Sequence, residues 1–126
     1  MTPLAWVAFA AAAGVAATLR YLVDGLIQDR SAGLYPWGTF AVNASGSLLF
    51  GVLTGMGLYH GLADAARVVL GTGLCGAYTT FSTFTFETVR LLEEGAVNQA
   101  LGYAAGTLVT CGVAAAAGIV LAGLAA

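Results

Sequence analysis

Long apolar stretches restrict the fold of this chain more than any other feature of its sequence. Four segments, at about residues 4–26, 35–58, 65–92 and 97–124, are mostly apolar over the roughly 20 residues that a membrane-spanning helix requires. Only 8% of the residues are charged, whereas a soluble domain has about 25%. The sequence therefore predicts an all-α membrane protein with one domain over residues 1–126 and four transmembrane helices joined by short loops.

Composition excludes several classes of function. The net charge is −2 and lysine is absent, so no basic patch indicates nucleic-acid binding. Cys75 and Cys111 lie in apolar stretches, and their spacing is not that of metal ligands. We therefore interpret both as small buried hydrophobic residues. The single histidine, His60, falls in a turn, and no nucleophile–base pair is visible. An enzyme is therefore not expected.

Small residues and sparse charges shape how the helices pack and insert. Two GxxxG patterns, Gly51 to Gly55 and Gly102 to Gly106, predict close approach of helix backbones in the bilayer. Arg30 and Arg90 flank the odd-numbered loops and Arg67 the even loop, a count of two against one, or three against one with Arg20, so the positive-inside bias is weak. This weak bias permits insertion in both directions.

The second segment carries polar side chains on one face. Thr39, Asn43 and Ser47 are spaced at i, i+4 and i+8, which aligns them along a helix. The Asn43 amide costs several kcal/mol in hydrocarbon unless it finds partners. Two interpretations stay open: a hydrogen bond that joins helices, or a donor that faces a ligand.

The third segment predicts a broken helix. Glycines at residues 71, 73 and 76 precede a run of hydroxyl side chains, and both residue types are weak helix formers. We expect the break near residues 76–80. Because freed backbone groups at membrane depth must be buried or line a cavity, the break also predicts a place where carbonyls hold a cation or helix N-termini attract an anion.

Aromatic and polar residues are interleaved after this break. Phe81 and Phe84 lie three residues apart, on one helix face, among the hydroxyls of Thr80, Ser82 and Thr83. Phe in a membrane protein ordinarily faces lipid or the core, but aromatic ring edges are electropositive, so rings among hydroxyl donors also suit contact with a small anion. On the fourth segment, Tyr103 and Thr107 share a face.

Two charged residues lie near the ends of spans. Arg20 can extend to the membrane surface or attract anions into a vestibule. Glu87 is equally ambiguous, because it lies close to the end of the third span.

At these residues the sequence resembles the Fluc/CrcB fluoride channels over essentially its whole length. The segment from Gly76 to Phe84, followed by Glu87, is similar to the family's Gly-Gly-x-Thr-Thr-Phe-Ser-Thr-Phe signature. Gly38-Thr39 with Asn43, Gly46 and Gly51, and the glycine-containing approach to Arg20-Tyr21, provide the second and third motifs. Ala77 and Tyr78 depart from the usual Gly and Leu, and Ala16 from a frequent Gly.

The resemblance implies a passive, fluoride-selective channel in the cell (inner) membrane of a prokaryote, which removes toxic fluoride from the cytoplasm. It implies an antiparallel, dual-topology homodimer with two pores. Arg20 would lie in the vestibule, and the backbone carbonyls of Gly76 and Thr79 would hold a structural sodium ion. Fluoride would meet the following side chains: Asn43, Phe81, Phe84, Thr80, Ser82, Thr83, Thr39, Tyr103 and Thr107.

Two other functions fit a short four-helix chain. A small multidrug transporter needs an acidic residue within the first span, but the first acid here, Asp24, lies near that span's end. A non-transporting accessory subunit suits the small-residue packing, yet it leaves Asn43 and the Thr/Ser/Phe run unexplained. Measurement of fluoride and chloride efflux from liposomes distinguishes the channel, the transporter and the accessory subunit.

Overall fold

Helices make up almost all of the described structure, which is a computed structural model covering residues 1–125. Three helices are long and apolar enough to cross a membrane: α1 (Pro3–Gln28), α2 (Trp37–Tyr59) and α6 (Val97–Leu124). The third apolar segment is divided into four pieces: α3 (Asp64–Arg67), the π-helix π1 (Val68–Cys75), α4 (Gly76–Tyr78) and α5 (Ser82–Glu93). The prediction of an all-helical membrane protein is confirmed.

Local sequence accounts for the helix ends. The Thr2 hydroxyl accepts a hydrogen bond from Ala5 N at 3.2 Å, and Pro3 occupies the first turn, where its missing N–H costs nothing. Pro36 lies immediately before α2, so this helix begins two residues later than predicted. Gly61 turns between α2 and α3 with a φ of 66°, which a residue with a Cβ rarely adopts.

Close backbone contact joins α2 to α6. A Cβ added at Gly51 would overlap the backbone of Ala115, and one added at Gly118 would overlap the backbone of α2 at Leu48. The first GxxxG pattern therefore acts as predicted. The second does not within this chain, because a Cβ at Gly102 would meet no atom within 4 Å.

The third segment differs most from its prediction. The predicted break in this span is present, since the chain is extended at Thr79 with ψ of 163°, but the π-helix π1 that precedes it was not predicted. The buried glycines Gly71 and Gly73 are weak helix formers that leave room for neighbours; a Cβ at Gly73 would lie 3.0 Å from the Phe9 ring. The break is present, but it starts at Thr79, and Gly76 is still helical.

The α2–α6 contact predicts a large effect of a small substitution. We expect Gly51→Ala to lower the free energy of unfolding by about 1–3 kcal/mol, because the new methyl group collides with backbone that cannot move alone. Chemical denaturation of the purified protein in detergent micelles measures this change. Gly102→Ala is the matched control, with an expected change within about 0.5 kcal/mol. Equal stability of the two variants would contradict the packing described for Gly51.

Candidate functional site

Asn43 bonds both backbone groups of Thr80 at the helix break. Asn43 Nδ2 donates to the Thr80 carbonyl at 2.9 Å, and Thr80 N donates to Asn43 Oδ1 at 2.8 Å. The Asn43 side chain is buried, so this pair replaces the helical bonds that the break removes. A carboxamide has two N–H donors, and only one is used here.

Hydroxyl groups around the break bond mainly to one another. Thr80 Oγ1 donates to Thr83 Oγ1 at 3.0 Å and accepts from Thr83 N at 3.2 Å, which caps the first turn of α5. Ser82 Oγ lies 3.3 Å from Thr80 Oγ1. The structure therefore brings these three predicted site residues together as a cap for α5.

A cavity of about 260 Å³ lies against this cap, between α2, α5 and α6. The rings of Phe81 and Phe84 form one wall, with centroids 5.9 Å apart. The other residues that line it are Asn43, Ser47, Thr79, Thr80, Thr107, Leu108 and Cys111. None of them carries a charge, and Ser82 and Thr83 are not among them.

Thr107 places an unsatisfied hydroxyl in this cavity. Its side chain is 5% exposed, and Oγ1 has no hydrogen-bond partner among the described residues. A buried polar atom without a partner is unusual and costs free energy unless something bonds to it. Thr107 is therefore a cavity-lining residue whose buried hydroxyl lacks a partner among the described residues.

Two further predicted site residues converge on Glu87. Thr39 Oγ1 donates to Glu87 Oε1 at 2.9 Å, and the Tyr103 hydroxyl donates to Oε2 at 2.7 Å. The Tyr103 ring also packs on Phe84, with centroids 5.2 Å apart. Thr39 and Tyr103 thus both bond the Glu87 carboxylate, and Tyr103 also contacts the cavity wall through Phe84. The sequence analysis left the role of Glu87 open.

Arg20 reaches the backbone at the helix break. Its Nη1 donates to the carbonyl of Thr79 at 3.3 Å. A second cavity, of about 190 Å³, contains Arg20 together with Asp24, Thr39 and Thr83. Thr83 therefore lines the space near Arg20 and not the space beside Phe81.

Two carbonyls at the break have lost their helical donors. Thr80 N donates to Asn43 and not to Gly76 O, while Thr83 N donates to the Thr80 hydroxyl and not to Thr79 O. Oxygen atoms of this kind suit a hard monovalent cation. Within residues 1–125, no cluster of three or more His, Cys, Asp or Glu side chains could hold a metal ion.

Cys111 and Ser47 complete the cavity wall, although no binding role was predicted for either of them. Cys111 was interpreted as a small buried hydrophobe, yet it lies one turn after Thr107 and faces the same space. The spacing of Tyr103, Thr107 and Cys111 at i, i+4 and i+8 was the signal that could have identified it.

Comparison with known proteins gives one consistent result. Residues 5–119 match the family described as CrcB-like protein, Camphor Resistance (CrcB). The chain is 44% identical over 119 residues to the fluoride-specific ion channel FluC 1 of Streptomyces avermitilis, covering 94% of this chain and 92% of that protein. It is 42% identical over 125 residues to the FluC 1 channel of Leifsonia xyli subsp. xyli, covering 99% and 91%.

The bonds of Asn43 predict what its loss would do. Asn43→Leu keeps the bulk but leaves Thr80 N and O unpaired, at a cost of about 1–3 kcal/mol for each group. We expect the free energy of unfolding to fall by that order and the Thr80 amide to exchange its hydrogen faster. Hydrogen exchange of the protein in micelles measures both. Thr54→Val, which removes a hydroxyl bonded only within α2, is the control. Unchanged exchange at Thr80 would show that its amide has another partner.

Proposed function

Because the chain belongs to the CrcB family, we propose that it is a fluoride-selective channel, through which fluoride leaves the cytoplasm passively. It is a prokaryotic multi-pass membrane protein, since its relatives are bacterial and three of its helices are long and apolar enough to span a bilayer. Conduction of an ion needs no catalytic group, and the protein is not an enzyme.

The unpartnered Thr107 hydroxyl is the observation that carries this proposal. Thr107 lines a cavity together with Asn43, which has a second N–H, and with Phe81 and Phe84. Hydroxyl, amide and ring edges all present partial positive charge, and no carboxylate lines the cavity. These groups favour a small anion over a cation.

Conduction through this cavity follows from the strength of these contacts. Fluoride holds its water tightly, so donors must replace that water as the ion enters. Thr107 and Asn43 supply strong donors, while the ring edges of Phe81 and Phe84 supply weaker contacts along an apolar wall. This combination binds the ion well enough for it to enter and weakly enough for it to leave.

A second copy of the chain completes the pore in this proposal. Phe81 is 78% exposed in the single chain, so one side of the cavity wall is open. The weak arginine bias permits two orientations in the membrane. An antiparallel homodimer then has two pores, each lined by both subunits.

The carbonyls of Gly76 and Thr79 fit a structural sodium ion at the centre of such a dimer. Both have lost the donors of a continuous helix. Arg20 already donates to Thr79 O, and its positive charge weakens cation binding there. The ion would hold the broken helices of the two subunits together.

Fluoride efflux tests this function. Liposomes holding the purified protein should release fluoride and retain chloride. Thr107→Val should lower the flux about ten- to hundredfold, because a hydrogen bond to a charged group contributes about 1.5–3 kcal/mol. Phe81→Ile and Phe84→Ile should also lower it, since they keep the bulk but remove the ring edges. An ion-selective electrode outside the liposomes records the release.

Thr110→Val is the matched control, because it removes a hydroxyl from α6 outside the cavity. Normal flux in the Thr107 and phenylalanine variants would place the pore elsewhere. Proton flux driven by a drug would indicate a multidrug transporter. The absence of both fluoride flux and drug-driven proton flux would indicate an accessory subunit.

Dual topology is tested separately in cells. Reporter proteins fused to the C-terminus, one active only in the cytoplasm and one only outside it, should both give signal from the same chain. Adding two lysines to the loop between α1 and α2 should shift the population towards one orientation. A single orientation of the unmodified chain would exclude the antiparallel dimer.

A further inference from the structure

A polar cavity of about 160 Å³ opens at the end of the molecule where α1 and α5 finish. Gln28 and Pro36 form one side, beside the turn between α1 and α2. Arg90 and Glu94, from the end of α5, lie on the other side, and Glu87 lies one turn before Arg90. We refer to this cavity as the α5 mouth.

The α5 mouth is connected to the candidate site by a chain of direct contacts. Glu87 lines the mouth and also accepts hydrogen bonds from Thr39 and Tyr103. Tyr103 packs on Phe84, which lines the cavity that contains Thr107. Glu87 and Tyr103 thus link the residues that line the mouth to those that line the phenylalanine cavity.

The charges at the mouth are unusual for the entrance to an anion site. Two carboxylates line it, Glu87 and Glu94, and both repel an anion. Arg90 is the only cation in its lining, and its side chain is 61% exposed. Arg90 Nε donates to Glu94 Oε1 at 2.8 Å, so part of its positive charge is already neutralised.

We propose that Arg90 attracts fluoride into the pore through the α5 mouth and that Glu94 limits this attraction. The inference rests on the proposed channel function and adds to it a route for the ion and a residue that sets the rate. Arg90 lies outside the phenylalanine cavity, so it acts on the arrival of the anion and not on its coordination there. Steering of this kind depends on ionic strength, whereas a packing role does not.

Fluoride flux at two ionic strengths tests the proposal. Liposomes are prepared with wild type, Arg90→Gln, Arg90→Lys or Glu94→Gln at fixed fluoride, with an impermeant salt setting the ionic strength and sucrose balancing the osmolarity. Near 0.01 M, where the Debye length is about 30 Å, Arg90→Gln should lower the flux about two- to fivefold. That range is the Coulomb effect of one charge about 8 Å away at a dielectric constant between about 40 and 80.

The other variants separate charge from structure. Arg90→Lys should keep the wild-type flux, and Glu94→Gln should raise it, because it leaves Arg90 unpaired. Near 1 M, where the Debye length is about 3 Å, all variants should converge. Arg30→Gln is the control, since Arg30 follows α1 on the same side but does not line the mouth, and it should change little at either ionic strength.

Three results would overturn the proposal: Arg90→Gln with wild-type flux at low ionic strength, the same loss at both ionic strengths, or a loss in Glu94→Gln equal to that in Arg90→Gln. The last two would mean that the ion pair supports the fold and does not steer the ion. Failure of the channel function itself is recognised separately, because wild type would then carry no fluoride-selective flux.

Discussion

In a bilayer, a broken helix is stable only where protein groups bond to the backbone that the break exposes. Asn43 meets this requirement by bonding both N and O of Thr80. The same pair fixes where α5 starts, since the Thr80 hydroxyl caps its first turn. Phe81 and Phe84 follow directly from that start, so this buried amide helps to set the position of both rings.

The candidate site is formed by the packed pair α2 and α6 and by α5, which is attached to that pair. Glycine contacts lock α2 to α6, and this pair presents Asn43 and Thr107 to the cavity. The segment α5 is attached through Asn43 at its start and through Glu87, which accepts from Thr39 on α2 and Tyr103 on α6. Both attachments are hydrogen bonds between polar side chains that would be costly if they faced lipid.

The sequence predicted the spans, the break and the polar face of α2, because each depends on local composition and helical spacing. Thr39 and Asn43 show what spacing cannot supply. They share a face, but Thr39 bonds Glu87 and Asn43 bonds Thr80, and only the arrangement of α5 decides between such partners. The π-helix was missed for a different reason, since a run of small and apolar residues is compatible with either kind of helix. Gly102 resembles Gly51 in pattern, and only the neighbouring backbone distinguishes them.

The glycine contacts between α2 and α6 also bear on how the chain can diversify over generations. At Gly51 and Gly118 the opposing backbone leaves no space for a methyl group. Substitutions there are therefore selected against through folding, whatever their effect on function. Leu108 and Cys111 line the cavity from α6, the helix that carries Gly118, and are not part of these glycine contacts. Inherited changes at these two positions can therefore alter the lining of the cavity while the frame is kept, and descendants of this chain have room there to acquire a different ion preference.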